Sequence, residues 1–114
     1  MTVQEHTPRL SALVVAHNEE AQLADCLDAL RFADEIVVVL DRCDDASEEI
    51  ARAHGARVEA GAWEIEGARR NRGIELCDGD WILEVDADER VTAELAQDIR
   101  ATIAEAPYGH FLVP

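Results

Sequence analysis

Two aspartates separated by a single residue, Asp86 and Asp88, close an apolar run that reads WILEVDADER over residues 81–90. A strand of this composition belongs in an interior, where a carboxylate without a partner is costly, so its end either surfaces at a turn or holds something cationic. In extended backbone, residues two apart point to the same side. The pair then offers two hard oxygen donors together, a set suited to Mg2+ or Mn2+, and such an ion can act as a Lewis acid on a departing phosphate. A solvated turn that caps the next helix is the other reading of the same letters.

The pair does not stand alone. The run LSALVVA (10–16) breaks into HNEE, and EIVVVLD (35–41) ends in Asp41 followed by RCDD. In an open parallel sheet the loops leaving the carboxyl ends of the strands converge on one rim, and ligands bind in that crevice. These loops place their polar groups there. A divalent cation on the carboxylates would make an acidic rim attractive to a diphosphate.

Three other chemistries fail on the letters. A calcium-binding EF-hand loop starting at Asp86 would need an oxygen ligand, a glycine and a glutamate where Arg90, Val91 and Gln97 stand. A haloacid-dehalogenase-type phosphatase would want threonine or valine at position 90, and the pair near its first strand. A dinucleotide fold would need G-x-G-x-x-G after the first strand, where AHNEEAQ has no glycine.

The elements that must position these groups alternate. Apolar runs at 10–16, 35–41, 56–61 and 81–86 are separated by amphipathic stretches, the pattern of an α/β fold with a mostly parallel sheet and flanking helices. From Glu20, Leu23, Leu27 and Leu30 line one face of a helix that closes at Ala33 and Asp34. EEIARAHG reads as a short helix stopped by Gly55. A helical segment covers 66–80, with Gly73 weakening its middle. Thr92 caps a helix over 92–106 with Leu95, Ile99 and Ile103 in phase, and Pro107 follows its end. YGHFLVP (108–114) starts a strand with little to pair with, either an edge strand or the start of something longer.

At 114 residues the chain is one domain. Asp and Glu total 25 against 10 basic residues, all arginine, for a net charge of −15, which argues against nucleic acid and anionic bilayers as partners. Cys26, Cys43 and Cys77 are odd in number and widely spaced, so neither a disulfide framework nor a zinc knuckle is expected, and reduced thiols point to the cytoplasm. The amino terminus lacks a basic start followed by an apolar run, so no secretory leader is expected, and no apolar run is long enough to span a bilayer.

LVVAHNEEAQLADCLDAL, VVVLDRCDDASEEIA and ARRNRGIELCDGDWILEVDADE, in that order and followed by a helix, resemble the amino-terminal half of a family 2 glycosyltransferase with the Rossmann-like GT-A fold, over residues 10 to about 113. The WILEVDADE ending resembles the subgroup that includes bacterial lipopolysaccharide-core glucosyltransferases. The resemblance implies a nucleotide-sugar donor, UDP-linked by family habit. It assigns Ala16, His17, Asn18 and Glu19 to the loop around base and ribose, and Asp41 to the imide N–H of a uracil. Asp45 becomes a loop organiser. Arg70, of the pair Arg70–Asn71, would approach diphosphate or base. Asp86 would face ribose or sugar, and Asp88 would bind Mg2+ or Mn2+. Read without the resemblance, Asp41 caps a turn, Arg69, Arg70 and Arg72 form a solvated helix face, and His17 is a loop hydrogen-bonder.

An inverting transferase needs a carboxylate base. The resemblance puts that base, and the acceptor site, in a second half this chain does not reach, so no catalytic residue is assigned. The expectation is a donor-binding half, with a non-catalytic nucleotide-sugar-binding or partner module as the alternative. The acceptor expected by resemblance is a saccharide or lipid-linked saccharide at the cytoplasmic membrane face, contacted peripherally through the missing half. Exposed sheet surface makes a homodimer through the last strand a further expectation.

Overall fold

The computed structural model describes residues 8–105 and 108–112. Five strands, β1 (Leu10–Ala16), β2 (Glu35–Asp41), β3 (Arg57–Gly61), β4 (Trp81–Asp86) and β5 (Gly109–Leu112), form one sheet in the order β3-β2-β1-β4-β5. Every pairing is parallel. β1 and β2, inside the sheet, are the most continuous apolar runs and are largely buried, as burial on both faces requires. β1 pairs with both β2 and β4, so the strand order reverses at β1 and opens a crevice at its carboxyl end. The register sets Ala16 beside Leu40 and Val15 beside Asp86, which brings the three chemistry-bearing loops to one level.

The helices are α1 (Glu20–Asp28), α2 (Ser47–Ala53), α3 (Glu66–Leu76) and α4 (Ala93–Glu105). The main core joins Leu10, Ala12 and Val14 of β1 to Leu23 and Leu27 of α1, Ala51 of α2, and Ile99 and Ile103 of α4. A smaller cluster of Leu13, Val37 and Val39 lies on the opposite face, under Ile74 of α3. That face presents Asp86 and Glu84, two residues apart on β4.

Several boundaries differ from the sequence reading. α1 ends at Asp28 instead of Phe32, because Leu30 and Ala33 donate to carbonyls three residues back and tighten the chain toward β2. Leu30 is still fully buried. α3 stops at Leu76, with Cys77 already extended. β5 does pair, along β4 from Trp81↔Gly109 to Glu84↔Leu112. Gly55 ends α2 at φ 78°, a conformation that suits glycine. Residues 1–7, Ala106, Pro107, Val113 and Pro114 lie outside the described residues. Among the described residues no helix is long and apolar enough to cross a membrane.

Thr92 caps α4 as expected, its Oγ1 accepting the Leu95 N–H at 3.1 Å. Thr92→Ala is expected to lower the unfolding free energy by about 1 kcal/mol. Thr92→Ser, which keeps the hydroxyl, should retain most of it in urea melts.

Candidate functional site

The loops after β1 and β2 are tied together by short polar side chains. Asn18 takes a left-handed conformation (φ 50°), and its side-chain oxygen accepts the Asp44 N–H at 2.9 Å. The Glu19 N–H donates to Ser47 Oγ at 3.2 Å. Asp45 accepts the Ser47 N–H at 2.9 Å and the Glu20 N–H at 3.1 Å, so it organises the loop from within. Burial alone would raise the Asp45 carboxyl, but the Ser47 hydroxyl and backbone N–H and the Glu20 N–H outweigh it and hold it below its ordinary value. His17 Nδ1 lies 2.7 Å from the Asp41 carbonyl oxygen. A carbonyl can only accept, so Nδ1 carries the proton and Nε2 is left facing outward from that bond.

Asp41 is 1% exposed. Its Oδ1 accepts from Arg42 Nε and the Trp63 N–H, each at 3.1 Å. Its Oδ2 accepts from Arg42 Nη2 at 3.2 Å and Arg69 Nη1 at 2.8 Å. A left-handed backbone at Arg42 (φ 52°) accompanies the fold of that side chain back onto its neighbour. Burial would raise this carboxyl, yet the Trp63 N–H and the two guanidiniums more than reverse the effect and hold it below the ordinary range.

β4 ends at Asp86, and residues 87 and 88 form a turn. The extended geometry expected for Asp86 to Asp88 is therefore not what joins them. The Glu89 N–H closes the turn on the Asp86 carbonyl (2.9 Å), and Glu89 Oε1 takes the Asp86 N–H (2.8 Å). Arg90 Nη1 donates to the Ala87 carbonyl (2.7 Å), and Nη2 to Gln22 Oε1 (2.6 Å), which ties the turn to α1. Buried Ala87 fixes the turn while its two neighbours stay exposed.

A cavity of about 280 Å³ opens where β1 and β4 diverge. Val15, Ala16, His17 and Glu19 line it from the first strand and loop, Asp86, Ala87 and Asp88 from the fourth, and Arg69 from α3. Asn18 and Asp41 flank this lining, joined to it through His17 and Arg69. Arg70 sits apart, its Nε 3.0 Å from Glu84 Oε1. Arg69 is the arginine at the cavity, only 20% exposed and not part of a solvated face. The signal for it was helix phase: Arg69 and Gly73 are four apart and share the face of α3 turned to the sheet. A Cβ on Gly73 would lie 2.5 Å from Leu13 Cδ1.

Mg2+ and Mn2+ commonly take one or two carboxylates and complete their shell with phosphate and water. Asp86 and Asp88 fit that description, since among the described residues neither carboxylate accepts a hydrogen bond. No cluster of three or more His, Cys, Asp or Glu side chains that could hold a metal ion occurs among those residues. The cysteines are free, and burial pushes the Cys26 and Cys77 thiols up to about 11, leaving them protonated at neutral pH.

Residues 11–113 match the family described as Glycosyl transferase family 2. An uncharacterized glycosyltransferase of Rickettsia bellii (strain RML369-C) is 30% identical over 107 residues, covering 93% of this chain and 36% of that protein. The lipopolysaccharide core biosynthesis glycosyltransferase LpsC of Rhizobium meliloti (strain 1021) is 28% identical over 96 residues, covering 77% of this chain and 34% of that one. Glucosyl-3-phosphoglycerate synthase from Mycobacterium tuberculosis, solved in complex with Mn2+, UDP and glucosyl-3-phosphoglycerate, aligns at TM-score 0.63 and 25% identity, over 70% of this chain and 33% of that one. The chain thus spans about 36% of the length of the first of these relatives.

Proposed function

The chain belongs to glycosyl transferase family 2, and from that premise we propose that it binds the donor for an enzyme that moves a sugar from a nucleotide-sugar, UDP-linked, to a saccharide or lipid-linked acceptor with inversion. The observation that carries this reading is the cavity at the strand-order reversal, where Asp86 and Asp88 present open carboxylates across from Arg69. Ala16, His17, Asn18 and Glu19 form the wall for the nucleoside, held in shape by the bonds to Asp41, Asp44 and Ser47. Asp88, with Asp86, would hold Mg2+ or Mn2+, which when bound supplies Lewis-acid neutralisation of the diphosphate leaving group. The synthase solved with Mn2+ and UDP supports that choice of ligand.

The relatives extend well beyond the length this chain spans, so the acceptor site and carboxylate base are assigned to a part of the enzyme outside it. Glu89 is assigned to the donor motif and not to that base, its Oε1 accepting the Asp86 N–H at the turn after β4. The resemblance to a lipopolysaccharide-core enzyme favours an acceptor met at the cytoplasmic face of the membrane.

Calorimetric titration of UDP tests the site. Binding is expected with Mn2+ present, absent without it, and lost in Asp88→Asn. Undetectable binding to the unaltered chain under both conditions would sink the reading.

A further inference from the structure

We infer that Arg90 is a positioning residue for the cation site: bonded to the turn after β4 at one end and to α1 at the other, it holds Asp86 and Asp88 in place against the loop after β1. This rests on the reading that a divalent cation and a nucleoside diphosphate share the cavity, and it assigns what sets the shape of that site. Arg90 follows two open carboxylates, yet among the described residues its hydrogen bonds all go to neutral oxygens. Nη1 donates to the Ala87 carbonyl (2.7 Å) and the Glu89 carbonyl (2.9 Å), and Nη2 to Gln22 Oε1 (2.6 Å). The one cation of the turn is thus kept off the carboxylates and spent on the backbone that aims them.

Each bond has a defined target. The Ala87 carbonyl belongs to the planar peptide that enters Asp88, so a guanidinium held on it fixes that plane. Asp86 is fixed separately. Its carbonyl accepts the Glu89 N–H at 2.9 Å and the Cys26 thiol at 3.6 Å. Gln22 and Cys26 are four apart on α1 and share a face, so the helix meets the turn at two points. Ala87 and Val91, buried on either side, leave the turn little freedom of its own.

The far end of the bond is rooted in the opposite wall of the cavity. Glu19 lines that wall, and its carbonyl accepts the N–H groups of Gln22 (3.0 Å) and Leu23 (2.9 Å), which start α1. Leu23 is fully buried, so this first turn is pinned to the core. The Arg90–Gln22 bond spans 68 positions of sequence and joins the wall that carries Glu19 to the wall that carries Asp86 and Asp88. Charge assistance strengthens it, and the planar fork lets one side chain reach both partners at once.

The test measures Mn2+ affinity from the loss of the free-ion electron paramagnetic resonance signal, with UDP at one fixed concentration. The samples are the unaltered chain, Arg90→Gln, Arg90→Lys, Gln22→Leu, the double variant Gln22→Leu with Arg90→Gln, and Arg52→Gln as a remote loss of positive charge, with thermal melts on each. Arg90→Gln is expected to weaken Mn2+ about 3–10-fold, the worth of one hydrogen bond. Were charge alone at work, removing a nearby cation would tighten the ion instead. Arg90→Lys keeps the charge and loses the fork, so it should weaken Mn2+ as well. Gln22→Leu leaves every charge in place and lies at an exposed position; it should also weaken Mn2+, and the double variant should bind no worse than Arg90→Gln. Mn2+ affinity unchanged or raised in Arg90→Gln, or losses that add in the double variant, would overturn the inference and leave the donor site standing. An equal loss in Arg52→Gln would assign the effect to net charge and overturn it too. Failure of the unaltered chain to take up Mn2+ with UDP removes the donor site and the inference with it.

Discussion

Asp41→Ala is expected to lower the unfolding free energy by about 3–5 kcal/mol, because removing one member of a buried ion pair strands the other. The stranded group is Arg69, which is 20% exposed and already carries one unpartnered Nε. For a chain of this size the melting temperature should drop by on the order of 15 °C. The effect has a pH signature. Trp63, Arg42 and Arg69 hold the folded-state carboxyl below its ordinary value of 3.8, against the burial that would raise it. On acidification the unfolded chain therefore takes up this proton first. The contribution is complete above the ordinary value and is lost as pH falls through the lower folded-state one. Urea melts from neutral to acid pH should show a shallower acid loss in Asp41→Ala than in the unaltered chain. It should not vanish, since Asp34 and Asp45 are also held low. An unchanged acid limb would mean that the Asp41 cluster is not a source of stability.

The same residue shows how far the sequence could be read. EIVVVLD announces a buried strand and places Asp41 at its end, and both follow from a continuous β-branched run. What the letters do not carry is the set of groups folded onto that carboxylate, because Trp63 and Arg69 arrive from more than twenty residues away. The Asp86–Asp88 pair was legible as two donors at a strand end. Its geometry was not, since the turn depends on Glu89 reaching back to the Asp86 N–H and on the burial of Ala87. Resemblance drew attention to Arg70, yet the register of α3 against the sheet turns Arg69 toward the cavity. α1 reads long because Leu30 keeps the helical phase and is buried, although the chain around it has already tightened out of the helix. β5 is four residues long, too short to reveal its partner before β4 is in place.

That register leads to the second large effect. Gly73→Val is expected to lower the unfolding free energy by about 1–3 kcal/mol through overpacking, even though glycine is a poor helix former. A Cβ at position 73 would approach Leu13 Cδ1 to 2.5 Å and Leu13 Cδ2 to 3.0 Å, with Val39 Cγ2 at 3.2 Å. Leu13 is 1% exposed and packed against Val37 and Val39, so it has little room to give. Leu13→Ala alone should cost about 2.7–5 kcal/mol, because the surrounding sheet closes the resulting cavity only in part. The two changes share one volume. The double variant should therefore be more stable than the sum of the single effects predicts, by about 0.5–3 kcal/mol. Arg69 lies one turn from Gly73 on the same face, and its bond to Asp41 depends on how closely α3 approaches the sheet. Where Gly73→Val remains folded, UDP affinity should fall with it, and the double variant should recover binding. Additive stability losses would show that the contact at Gly73 does not set the depth of α3. Non-additive stability losses without recovered binding would separate that depth from the position of Arg69.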